Sequence, residues 1–344
     1  MIPMLAVPGA VALLFFLPLR YESGNYLAKA KKIDYGGVAL NLAAVLLILI
    51  PLSGGGITYS WSSPALIAML TIGCVLAVAF ILYEWKVPAI PITPLHLFTA
   101  PHCAYLYAQS FLSGLTFYCN FFFRKQHPLI YFQSVHGFSS LESGAMILPL
   151  IVMTSIFSIL SGQFMARVGR YMPPIIVGYV FWLVGLSLRA TFTRSTPIWK
   201  LVVILLVDGA GTGMTLQPTL VGLLANSRSE DRAVLTGLRN FMRTIGGGFG
   251  IIISGAILSN TLRTKLSHLP FVSSSTIAGL TSSAYSISSL GFTPAQEGLI
   301  IDAYMGGLHN IFAFNAACTG CNLLLCIGIG NTDLRSKKPR KTEA

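Results

Sequence analysis

Apolar residues run in nine long stretches, at 2–19, 36–52, 64–83, 104–123, 144–166, 174–192, 198–224, 241–260 and 304–330, with polar loops between them. Each is near the ~20 residues that cross a ~30 Å hydrocarbon core. Backbone N–H and C=O groups in lipid must pair within their own segment, so the stretches predict transmembrane helices. Pro and Gly within several of them fit membrane helices better than soluble ones. The fold class expected is an all-α polytopic membrane protein.

Some spans are not apolar all round. Residues at i, i+4, i+7 and i+11 share one helix face. Gln109, Ser113, Thr116 and Asn120 have that spacing in the fourth span, and Asp208, Thr212, Thr215 and Thr219 in the seventh. These two helices should line something polar, either a water-filled path or each other. Asp208 is the only acidic residue deep in a span. It lies ten residues into the seventh, or ~15 Å from its outer end at 1.5 Å per residue. An ionised carboxylate at that depth costs ~2.5–3.5 kcal/mol on insertion scales, which makes it a functional candidate. It reads either as a proton-coupling or cation-binding group or as a structural Asp hydrogen-bonded to Ser, Thr or backbone. In the eighth span Arg239, Arg243, Gly246, Gly250 and Ser254 fall on one stripe. Gly246-x-x-x-Gly250 admits a close neighbouring helix. The two arginines either anchor the cytoplasmic end, by snorkelling or pairing with Glu230 or Asp231, or form a gating ion pair. Gly209, Gly211 and Gly213 imitate a nucleotide loop, but no strand precedes them, so helix packing is the reading. Gln217 lies roughly opposite Asp208 and reads as structural, and Arg189, near the outer end of the sixth span, as a snorkelling residue. His309 and Asn310 are taken to begin the last span.

The charge of +12 would suggest nucleic acid in a soluble protein, but only 10% of residues are charged and 54% are hydrophobic. Alternating the loops across the membrane puts most of the Lys and Arg on one side. It leaves Arg124, Lys125, Arg194, Lys200, Arg263 and Lys265 on the other. That is the positive-inside bias, with Met1 outside and the basic tail, 331–344, in the cytoplasm. The segment FRKQHPLIY, 123–131, runs against the bias; it reads as an outer turn or as a foreign insert, RKQHP, between flanks that join smoothly without it. Clustered His, Asp, Glu or Cys of the kind an enzyme or metal site needs are lacking, so no enzyme, metal or cofactor is expected. Cys318-x-x-Cys321 stands alone in an apolar helix.

Several segments resemble the major facilitator superfamily. SGQFMARVGRY, 161–171, is similar to its short basic loop motif, with Gly162, Arg167, Gly169 and Arg170 matching and Ala166 where the motif has Asp. YFQSVHGFSSLESGAMILPL, DRAVLTGLRNFMRTIGGGFG and YEWKVPAIPITPLHLF resemble the fungal drug:proton antiporter branch with fourteen spans. The resemblance implies a helical bundle of which this chain supplies the last nine spans. Residues 1–19 would be the last helix of a truncated N-terminal half, 20–35 a cytoplasmic basic loop, 36–83 two linker helices and 84–103 a cytoplasmic connector. Residues 104–330 would form the C-terminal six-helix half. The fourth and seventh spans would then be cavity-lining helices of that half.

The implied function is secondary active transport, a proton-coupled export of small amphipathic molecules or drugs of the multidrug-efflux kind. Asp208 would be the proton-linked group, and Gln109, Ser113, Thr116, Asn120, Thr212 and Thr215 the path. Gly162, Arg167, Gly169, Arg170, Asp231, Arg239 and Arg243 would be the loop-motif or gating residues. The partners implied are the bilayer, protons, a small-molecule substrate and the missing N-terminal half or a partner subunit, with no nucleic acid. The alternative is a truncated, non-transporting fragment or incomplete gene model, favoured by the odd count of spans. The plasma membrane is the expected location, with the vacuolar membrane as the alternative.

Overall fold

The computed structural model describes residues 34–55, 60–87, 92–93, 96–99, 101–134, 144–193, 196–228, 231–269, 272 and 292–335, without the side chains of 96, 99, 101, 123–134 and 294. The first expected span, the loop after it up to residue 33, Glu230, residues 270–271 and 273–291 of the loop 261–303, and the tail beyond Arg335 lie outside them.

Eight long helices account for the other expected spans. They are α1 (Tyr35–Gly54), α2 (Pro64–Lys86), α3 (Pro101–Ser134), α4 (Leu148–Val168), α5 (Met172–Arg189), α6 (Ile198–Ala225), α7 (Arg232–Leu266) and α8 (Pro294–Leu325), with one further turn at His96–Thr99. Seven are long and apolar enough to cross a membrane. The exception is α3, whose buried Gln109, Ser113, Thr116 and Asn120 lower its mean hydropathy.

The helix ends have local causes. The Asp34 side chain accepts from Gly37 N at 2.8 Å and caps α1. Gly169 ends α4 in the left-handed region, φ 76°, with its N–H on the Met165 carbonyl, a conformation costly for any residue with a Cβ. Three expected boundaries move. The backbone of α3 stays helical through 124–134, where an outer turn was an alternative. Helix α7 begins at Arg232, well before the expected 241. Helix α8 begins at Pro294, with Thr293 and Gln296 forming a capping box; these cap and N1 signals precede the apolar run, so His309 and Asn310 lie inside the helix.

The helices pack as α3 with α7, α4 with α6, and α5 with α6, while α8 lies against α3, α5 and α7. Helices α1 and α2 form a hairpin that touches the rest along α7. Glycines set the closest crossings. A Cβ on Gly246 or Gly250 would strike the Phe111 or Leu115 carbonyl of α3, and one on Gly114 would strike the Arg243 carbonyl. Gly209 and Gly213 do the same against α4, and Gly211 against Trp182 of α5.

The distribution of polarity is inverted relative to a water-soluble protein. Val75, Ile159 and Ile151 are 61%, 62% and 51% exposed, whereas Gln109, Asp208, Asn315 and Asn322 are fully buried. In water this arrangement would leave large apolar patches wet and desolvate amides and a carboxylate. Hydrocarbon around the bundle reverses the preference. The chain is an integral, multi-pass membrane protein.

Candidate functional site: a polar seam inside the bundle

The stripes on α3 and α6 face into the bundle. All eight residues are buried, so in this conformation they border each other and their neighbours and line no open path. A third stripe completes the seam: Asn315, Thr319 and Asn322 on α8 are fully buried as well. Its spacing, i, i+4 and i+7, is the same signal as on the other two helices, and sequence reasoning passed over it.

At one level of the seam lies a buried ion pair. Arg189 Nη1 donates to Asp208 Oδ2 at 2.9 Å, and the two side chains are 4% and 0% exposed. Arg189 also donates to Asn120 Oδ1 at 3.4 Å and sits 4.5 Å over the Phe312 ring. It therefore turns inward and does not snorkel. The reason is geometric. Gly185, one turn before Arg189, lies level with Asp208, and helical side chains lean back toward their own N-terminus. That lean carries the guanidinium from the outer end of α5 down to the carboxylate. Asp208 Oδ1, Arg189 Nε and Asn120 Nδ2 have no hydrogen-bond partner.

Farther along, Asn315 Nδ2 donates to Cys119 Sγ at 3.1 Å, and Cys119 lies 2.8 Å from Ser254 Oγ of α7. Gln109 Nε2 donates to the Asn322 carbonyl at 2.8 Å and approaches Cys326 Sγ at 3.1 Å. Thr212, Thr215 and Thr219 donate to carbonyls of their own helix. Thr116 Oγ1, Gln109 Oε1, Asn315 Oδ1 and the Asn322 amide remain unpartnered. Buried polar atoms ordinarily have a protein or water partner, and these lack a protein one among the described residues.

Arg239 is 7% exposed and reaches from α7 to the Leu216 carbonyl of α6, Nη2 to O 2.5 Å. Arg243 is half-buried, 4.5 Å over Phe117 and 5.9 Å from Tyr118. Neither pairs with Asp231. Of the loop-motif residues, Arg167 and Arg170 are exposed, Gly162 has open space beside it, and Gly169 is the α4 cap. The segment after α8 ties down this end. Leu334 N donates to the Gly169 carbonyl at 2.9 Å, Thr332 Oγ1 to Asn226 Oδ1 at 2.8 Å, and Tyr171 Oη to the Gly330 carbonyl. Gln217 is exposed on a groove lined by Gly162, Gly169 and Arg335.

No family model matches the chain. Its curated relatives are fungal. Citrate exporter 1 of Yarrowia lipolytica is 33% identical over 337 residues, which are 97% of this chain and 49% of that protein. MFS-type transporter clz4 of Cochliobolus lunatus is 29% identical over 315 residues, 92% of this chain and 54% of the relative. Efflux pump dotC of Dothistroma septosporum is 30% identical over 255 residues, 74% and 43% respectively. Over these shares the chain is similar to fungal transporters of the major facilitator superfamily. It spans about half the length of the relatives it matches.

Proposed function

We propose that this chain works in secondary active transport, exporting small amphipathic molecules in exchange for protons, with Asp208 as the proton-linked group. The observation that carries the reading is the buried Arg189–Asp208 pair, in which one carboxylate oxygen is bonded and the other unpartnered. A proton arriving on Asp208 removes the charge that holds Arg189 and loosens the tie between α5 and α6. Loss of the proton restores it. A switch of this kind needs a carboxylate shielded from water beside a cation, an arrangement that Asp208 and Arg189 have. The relatives' names, an exporter and an efflux pump, support outward movement.

On this reading the seam residues Gln109, Ser113, Thr116, Asn120, Thr212 and Thr215 become the path when the helices part, and their unsatisfied atoms are the groups a passing molecule meets. Helices α3–α8 are the C-terminal half, α1 and α2 the linkers, and the strap on Gly169 closes the cytoplasmic end beside Arg167 and Arg170. An N-terminal half, in the same polypeptide or as a partner subunit, faces the groove between α4 and α6. The plasma membrane is the proposed site of action, with the vacuolar membrane as the alternative.

The experiment is ethidium efflux from proteoliposomes carrying the full chain under an imposed proton gradient. Wild type should export the dye only with the gradient, and Asp208→Asn should abolish the gradient dependence. Gradient-driven efflux unchanged in Asp208→Asn would remove the coupling role.

A further inference from the structure

Asp208 has its counter-ion within the seam; among the described residues, Arg239 and Arg243 of α7 have none. Arg239 and Arg243 stand one turn apart on the same face, where like charges repel. Among the described residues neither has a carboxylate at ion-pair distance. Arg239 has one carbonyl and a long contact to Asn240 Oδ1 at 3.4 Å, and its Nε is unpartnered. Arg243 has two aromatic faces, and its Nε is unpartnered too. Aromatic faces offset part of a buried cation's desolvation, and a carbonyl offsets some more. Neither cancels a charge. Burying a guanidinium without an anion costs several kcal/mol; Arg239 is buried and Arg243 half-buried beside it.

The surroundings suit an anion. The phenol of Tyr179 lies within electrostatic reach of Arg239 and Arg243. Tyr179 also stacks on Trp182, with ring centroids 6.2 Å apart. Its hydroxyl is buried with no hydrogen-bond partner among the described residues, and Arg239 reaches the Leu216 carbonyl beside Thr215 of the seam. The arginines therefore stand at the seam itself. Arg239 lies seven residues past Arg232, ~10 Å along the helix, and Arg243 ~6 Å farther. Phe117, under Arg243, is sixteen residues into α3. That depth favours a small molecule entering between helices over a lipid headgroup at the surface. The planar donor forks of Arg match carboxylate and phosphate oxygens two at a time.

We propose that Arg239 and Arg243 form an oxyanion site that holds the carboxylate or phosphate group of a small organic anion, and that such anions are among the substrates. Calling the anion a substrate rests on the transporter reading; its binding does not.

The test is equilibrium binding to the full chain in phosphatidylcholine nanodiscs, by scintillation proximity, with radiolabelled benzoate and succinate as probes and benzamide as the uncharged twin of benzoate. Wild type should bind at least one of the two carboxylates saturably and benzamide not at all. Arg239→Gln should weaken binding by about tenfold or more, the worth of a charge-assisted hydrogen bond, and Arg239→Lys by less. Arg243→Gln should weaken it likewise with the Leu216 anchor intact, which keeps the test informative if Arg239→Gln misfolds. No saturable carboxylate binding, or equal affinity in wild type and both Gln variants, overturns the proposal. If phosphatidylglycerol in the nanodisc displaces the carboxylates, the site belongs to lipid headgroups and the substrate assignment is wrong. Because no transport is read, a chain that binds benzoate but exports nothing keeps the site and loses the transporter reading. A chain that exports ethidium and binds no carboxylate does the reverse.

Discussion

The Arg189–Asp208 pair makes a quantitative prediction. Asp208→Asn keeps the shape of the side chain and removes its charge. Arg189 is then left 4% exposed, with Asn120 at 3.4 Å and the Phe312 face as its remaining partners. Breaking one side of a buried pair costs about 3–5 kcal/mol, because the surviving charge is uncompensated. Arg189→Met removes the cation together with its contact to Phe312, worth up to ~2 kcal/mol where desolvated, and leaves Asp208 alone. The double variant removes both charges, and replacing a buried pair by neutral groups is often close to neutral. The single losses should therefore not add: the double variant should be more stable than their sum by at least about 2 kcal/mol. The assay is SDS-induced unfolding of the purified chain in mild detergent, followed by tryptophan fluorescence. A coupling below about 0.5 kcal/mol would refute the reasoning, since it would mean that the two groups are each solvated and that the seam is wet at this level.

Other outcomes follow from the packing. Gly250→Leu puts a side chain onto the Leu115 carbonyl at the α3–α7 crossing and should cost about 3 kcal/mol or more, whereas Gly255→Ala, with open space beside it, should be neutral; thermal unfolding compares the two. Gly169→Ala forces a Cβ into the left-handed region, φ 76°, at ~1–2 kcal/mol, and should speed proteolysis of the strap carrying Leu334, read by gel after limited trypsin treatment. Gln109→Leu loses the 2.8 Å bond to the Asn322 carbonyl and should destabilise by ~1 kcal/mol in the same SDS titration.

What could be read from the sequence, and what could not, divides along physical lines. The spans were legible because lipid demands long apolar runs, and the stripes of α3 and α6 because a 3.6-residue period shows in one dimension. The α8 stripe has the same period, but Asn315, Thr319 and Asn322 are diluted by the apolar and small residues between them. Arg189 was misread for a different reason. A lone Arg at a span's end looks alike whether it reaches out to water or back into the bundle. Only the level of Asp208 on the neighbouring helix decides between them, and that level is set by the glycine-mediated approach of α5 to α6 at Gly185 and Gly211.

The same logic bears on why the seam is closed. Its stripes face one another because, with hydrocarbon outside, inward is the only direction that spares amides, hydroxyls and a carboxylate. Yet the pairing is incomplete: Asp208, Asn322, Thr116 and Gln109 all keep unpartnered atoms, and among the described residues Arg239 and Arg243 have no carboxylate partner. A seam that only held the bundle together would gain by satisfying or replacing these groups, since half-satisfied polar networks are worse than apolar ones. Their retention at one locus, between helices joined by glycine crossings, is what a bundle needs if those helices part and the same groups then meet a proton and an anion.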